Sequence, residues 1–261
     1  MKQKDTLAIN FLQGVMAIFI GIFFSTKAYA YNFTQDYLRG YYWAKFPIRM
    51  TPYASNDSDA QNLRTFINNA VSSWENVVGK NIWEISNVDR STNYQGNFIR
   101  WSEDFGGETG YDPSSTLAIT IRYNKGTYFE RVVIILNGSN PYLRQNYASY
   151  LQKTLLHEFG HTIGIDHSDD MSAIMYRSLS NIYSLNYDDV QAANEAVDSM
   201  VNKQATGYVS PYSTSEEKVA ACGSVVDISG KGPGGGKGSF MVSLLLGIAL
   251  ALSAKVRKLF N

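Results

Sequence analysis

The chain of 261 residues has three histidines, and all of them lie in the run HEFGHTIGIDH over positions 157–167. On a helix His157 and His161 stand one turn apart on the same face, so both imidazoles can reach one ion. Glu158 follows the first histidine and points elsewhere, where its carboxylate can lie beside the ion and close to a water. Gly164 can leave right-handed helical space, so the chain can turn sharply and bring His167 back as a third ligand. Three neutral imidazoles with a fourth position open describe a catalytic rather than a structural zinc site. In such a site Glu158 is placed to act as general base toward water attacking a scissile carbonyl, and then to pass the proton to the leaving amine. The chemistry expected is peptide-bond hydrolysis with one Zn2+.

The pattern HExxHxxGxxH resembles the metzincin signature, and its surroundings resemble the matrixin-like group. Ser168 follows the third histidine, Met175 within Ser172–Tyr176 is similar to the family's Met-turn, and Asp188–Asp189 match an acidic pair at the start of its last helix. The resemblance covers roughly residues 44–200 and is most specific over 156–176. It implies a zinc metalloendopeptidase, a hydrolase, with Met175 as a hydrophobic floor under the metal that does not ligate it. It also implies an edge strand that binds an extended peptide by β-augmentation. Leu117 to Tyr123, hence Leu117, Ala118 and Ile119, is the candidate, with Arg131 to Leu136 as its inner neighbour; ordinary sheet packing is the competing reading. Tyr176 and Arg177 are expected to help line the pocket for the side chain after the scissile bond.

The chain departs from that family in several places. No histidines remain for the second, structural zinc of animal matrixins. Only about fifteen residues separate Ala30 from Phe46, too few for a cysteine-switch prodomain, and Cys222 lies on the wrong side of the domain. Asp36 could cap the zinc from a short propeptide, but a solvated surface acid is the favoured reading. Met171 and Arg177 stand where prolines are common, and Tyr176 directly follows Met175, unlike the fifth-ligand tyrosine of astacin-like relatives. Glu103, Asp104 and Asp112 could offer oxygens to Ca2+, without a recognisable ligand pattern. Cys222 stays open between a tail-processing role, an intermolecular thiol and an inert residue. A single cysteine excludes an internal disulfide framework.

The elements that must position these groups are strands first and helices later, an α+β arrangement. The resemblance implies a metzincin-like twisted mixed sheet of about five strands, an active-site helix, a backing helix and a C-terminal helix. Strand-like runs are 46–50, 81–85, 97–101, 117–123 and 131–136. Leu63, Phe66, Ile67, Ala70, Val71, Trp74 and Val77 recur at three and four, predicting the backing helix, capped by Ser58 or Asp59 and stopped at Gly79. Leu151, Leu155, Phe159 and Ile163 form the stripe of the active-site helix. A last helix is expected over about 187–200.

Charge and composition place this domain between two unlike ends. The formal net charge is zero, yet residues 31–222 carry 15 basic and 21 acidic groups, a net of −6. That balance excludes a basic nucleic-acid binder. Residues 1–30 read as a signal peptide: Lys2 and Lys4, an apolar run over 15–24, then Ala28-Tyr29-Ala30 before a cleavage point. Residues 31–45 form a short N-terminal segment, 46–202 the peptidase domain and 203–239 a linker that is glycine-rich at its end. Residues 240–261 form a hydrophobic sorting or anchor segment with a basic end, and the whole tail resembles bacterial tripartite C-terminal sorting tails. The expected protein is an exported monomer at a cell surface, membrane-anchored through that segment unless processed, or released. Its partner is a protein or peptide substrate; the alternative is a non-catalytic zinc-containing surface peptide-binding protein or adhesin.

Overall fold

The computed structural model describes residues 29–179 and 181–225. The expected signal peptide up to position 28, the glycine-rich end of the linker and the hydrophobic segment 240–261 lie outside the described residues. Among the described residues no helix is long and apolar enough to cross a membrane.

A short helix α1 (Gln35–Leu38) precedes strand β1 (Ile48–Tyr53) and the long helix α2 (Asp57–Val78). Strands β2 (Trp83–Ile85) and β3 (Phe98–Ser102), a short helix α3 (Phe105–Thr109), and the long strands β4 (Thr116–Gly126) and β5 (Tyr128–Asn137) follow. Helix α4 (Pro141–Gln145) and a π turn over Tyr147–Leu151 lead into α5 (Gln152–Thr162), the histidine helix, and α6 (Tyr187–Thr206) comes later. A last strand β6 spans Thr214–Val225. The fold is α+β with one mixed sheet in the order β2-β1-β3-β5-β4-β6. β2, β1, β3 and β5 run parallel, and β4 is antiparallel to both β5 and β6.

Alternation in the strands separates two apolar faces. Ile99, Val132, Ile134 and Leu136 share the main core with Leu63, Ile67 and Trp74 of α2, Leu155 and Phe159 of α5, and Ala192, Ala196 and Met200 of α6. Ile119, Val133 and Ile135 face the other way, into a small cluster with Tyr53, Phe98 and Phe105. The Trp74 indole N–H donates to the Leu156 carbonyl at 2.8 Å, which fixes the backing helix against the histidine helix.

Several boundaries differ from the sequence reading. Asn56, rather than Ser58 or Asp59, caps α2, because its side chain accepts from the Asp59 N–H; Gly79 ends the helix at φ 64°, as its position predicts. The domain boundary at 202 falls inside α6, and residues 214–225 of the expected linker form a sixth strand. Its residues 215–219 are exposed, so backbone pairing rather than an apolar alternation holds it, and it leaves no periodic signal. β4 is therefore not the edge of the described sheet: its outer side is covered by β6 from Thr116↔Val225 to Gly126↔Thr214.

Candidate metal centre

Helix α5 carries the first two histidines and is buried from Lys153 to Thr162, on all sides rather than along one stripe. The sheet, α2 and the turn around Met175 enclose it. After Ile163 the chain reverses at Gly164, where φ is 83°. The N–H groups of Gly164 and Ile165 donate back to the carbonyls of His161 and Gly160. The N-terminal segment closes over this turn, with Thr34 N–H on the Gly164 carbonyl at 2.9 Å and Asp166 N–H on the Asn32 carbonyl at 2.8 Å. A side chain at Gly164 would require a positive φ and would bring its Cβ within 2.9 Å of Tyr37 Cβ. Gly164→Ala is therefore expected to cost about 1–3 kcal/mol of stability and to weaken zinc retention, measured by thermal melting and metal titration.

The turn delivers His167 to the other two histidines. Ring centroids lie 4.6 Å apart for His157–His161, 5.2 Å for His157–His167 and 5.0 Å for His161–His167. His157 Nδ1 lies 2.7 Å from the Ile174 carbonyl oxygen and His161 Nδ1 2.8 Å from that of Ile165. A carbonyl only accepts, so each Nδ1 carries the proton and each Nε2 presents a lone pair. Both Nε2 atoms are buried with no hydrogen-bond partner. Buried nitrogens aimed at a common point and left unpaired cost stability unless something binds them. Burial first, then the neighbouring His167, pushes the His157 pKa down to about 3, and His161 is likewise held well below its ordinary value. These two imidazoles are neutral at pH 7, the form that ligates zinc, and with His167 they make a donor set that fits one such ion.

Met175 is fully buried under this group, and a methyl added at Gly160, between the two helical histidines, would meet its Cε at 3.0 Å. The Met-turn is tied to α6: Asp189 accepts from the N–H groups of Ile174 and Met175 at 2.9 and 3.0 Å. Asp188 accepts from the Ser168 hydroxyl at 2.7 Å. The acidic pair thus holds the loop after His167 as well as suiting the helix N-terminus.

Glu158 is fully buried beside the triad. One oxygen accepts from the Thr120 hydroxyl of β4 at 2.6 Å. The other accepts from the Ser224 hydroxyl and N–H at 2.7 and 3.1 Å. Burial raises its pKa to about 7 against the pull of those hydrogen bonds. Leu117, Ala118 and Ile119 lie on β4 just before Thr120, buried between β5 and β6. Tyr176 is half-buried and Arg177 exposed, directly after the Met-turn.

Two residues take places that sequence position did not suggest. Asp36 is neither a zinc cap nor a surface acid; it is buried and paired with Arg122 of β4, Nε–Oδ2 2.8 Å and Nη2–Oδ1 3.2 Å. Arg122 also donates to the His161 carbonyl at 2.9 Å. Cys222, expected on the wrong side of the domain, comes to the centre on β6, with Sγ 3.8 Å from His167 Nε2 and 3.5 Å from Asp166 Oδ1. Burial, with Asp166 beside it, raises its thiol pKa. The residues considered for calcium are engaged locally: Glu103 pairs with Arg144, Asp104 caps Gly107, and Asp112 accepts from Ser114 and Ser115.

The family model for matrixin, a peptidase family, matches residues 43–196. The chain belongs to the matrixin family. It is a metzincin-like zinc metallopeptidase at the level of that family. Among solved structures the chain is similar to archaemetzincin from Methanopyrus kandleri, at 13% identity over 58% of this chain and 96% of that one, with a TM-score of 0.35. No curated protein matches the chain.

Proposed function

We propose that this matrixin is an exported endopeptidase in which Glu158 is the general base and His157, His161 and His167 hold one zinc ion. The observation that carries this reading is the pair of buried, unpartnered Nε2 atoms facing His167, with the Glu158 carboxylate buried alongside. Zinc bound there would supply a Lewis acid that polarises the scissile carbonyl and makes water more acidic. Glu158 takes a proton from the attacking water and hands it to the leaving amine, with Thr120 orienting its carboxylate. Because β6 covers the outer side of β4, an extended peptide would pair with Leu117, Ala118 and Ile119 only where β6 is displaced, while Tyr176 and Arg177 flank the pocket beyond the scissile bond. The net of −6 over residues 31–222 favours neutral or cationic peptides. Export rests on residues 1–30, and a surface location on the hydrophobic segment 240–261, which would tether the monomer until processed. A non-catalytic adhesin needs no buried carboxylate beside the metal ligands, so the site favours the enzyme.

The test is metal content and cleavage of an unfolded protein by the purified chain, before and after limited proteolysis of its ends. About one zinc per chain is expected, with cleavage that a chelator abolishes and added zinc restores. One equivalent of zinc without cleavage of any substrate in a broad peptide library would instead support the peptide-binding protein.

A further inference from the structure

Strand β6 lies where the proposed substrate would lie. It adds to the outer side of β4 in antiparallel pairing, with Ser224 opposite Ala118 and Gly223 opposite Ile119, two of the residues that the peptidase reading assigns to substrate. Its last turns reach the chemistry. Ser224 engages one Glu158 oxygen through both its hydroxyl and its N–H, so with Thr120 on the other oxygen the carboxylate faces no solvent. Two residues earlier, with its side chain on the same face by strand alternation, Cys222 sets its sulfur against His167. The Nε2 atoms of His157 and His161 beside it are buried and without a partner.

The attachment is uneven along the segment. Before the strand the chain is anchored: Ser210 N–H donates to Thr127 Oγ1 at 2.7 Å, and the Tyr41 and Tyr42 hydroxyls donate to the carbonyls of Tyr212 and Tyr208. Within the strand, Ser215 to Val219 are exposed, and Cys222 and Ser224 turn inward to the site. A strand held mainly by backbone pairing can open locally without unfolding the core.

We propose that residues 214–225 are a built-in inhibitor, a strand that fills the substrate edge, with Cys222 as an additional ligand toward the zinc. This rests on the peptidase reading of the same centre. With zinc bound, the Cys222 thiol would release its proton to solvent and the thiolate would ligate the ion in place of water. The three imidazoles and the sulfur would then hold the ion together and leave no place for the water that hydrolysis needs. Ser224 meanwhile keeps Glu158 from water. Activation consists of scission or displacement in the exposed stretch, which lets 220–225 leave while the anchor at 208–212 stays.

The experiment inserts a site-specific protease recognition sequence between Ser213 and Thr214 of the full chain and compares it before and after cutting. Peptidase activity is expected to rise at least about tenfold on cutting, since a short tether holds the strand at an effective concentration of order millimolar. Two further readings do not depend on activity. In the zinc-loaded intact chain Cys222 should alkylate at least about tenfold more slowly than in the cut chain. Cobalt substituted for zinc should show a sulfur-to-cobalt charge-transfer band that disappears on cutting and in Cys222→Ser. Cys222 reacting at the free-thiol rate in the intact chain, with no sulfur band and no gain of activity on cutting, would overturn the proposal. Protection and the band without cleavage by the cut chain would instead support the strand's placement on the metal and refute the peptidase reading.

Discussion

Glu158→Gln is expected to lower kcat about 10²–10⁴-fold with zinc content unchanged. The substitution keeps the volume, and its one carbonyl oxygen can still accept from the Thr120 hydroxyl, but it removes the buried carboxylate beside the triad. An amide cannot take a proton from water at neutral pH, so the loss falls on kcat, while peptide binding along β4 and KM change little. The measurement is steady-state cleavage alongside zinc analysis of the same preparation, after release of strand β6. Normal turnover with full zinc would remove Glu158 from the reaction and point to another base.

Asp36→Asn is expected to destabilise the fold by about 3–5 kcal/mol, because it leaves Arg122 buried without its counter-charge. Arg122 is 1% exposed and Asp36 4%, so water cannot replace the lost partner. For a domain of roughly 200 residues the melting temperature should fall by about 2–4 °C per kcal/mol. Burial alone would raise the Asp36 pKa, but the Arg122 guanidinium and the hydrogen bonds from Arg122, Thr34 and Asn124 outweigh it and hold the carboxyl below its ordinary value. A carboxylate with a depressed folded pKa contributes stability that is fully present above the unfolded pKa, about 3.9, and is lost as pH falls through the folded value. The difference between parent and variant should therefore be full at pH 7 and narrow below about pH 4. Melts across that range check both size and sign; a pH-independent difference would mean that packing, not charge, is responsible. Because Arg122 also holds the His161 carbonyl, the variant should retain zinc less tightly.

The features legible from residue order are those built from neighbours in the chain. Four residues of helix return His161 to the face of His157, and Gly164 permits the turn that brings in His167, so the triad follows from helical periodicity and one backbone permission. The backing helix followed from its apolar spacing, and Gly79 marked its end. The tertiary structure decided what chain-distant residues do. Asp36 meets Arg122 across 86 positions. Cys222 reaches His167 across 55, and Ser224 reaches Glu158 across 66. Those encounters depend on which strand pairs with which edge, and backbone hydrogen bonds that join strands are nearly blind to side-chain identity. A polar, exposed strand such as β6 therefore reads as a linker until the edge of β4 is there to receive it.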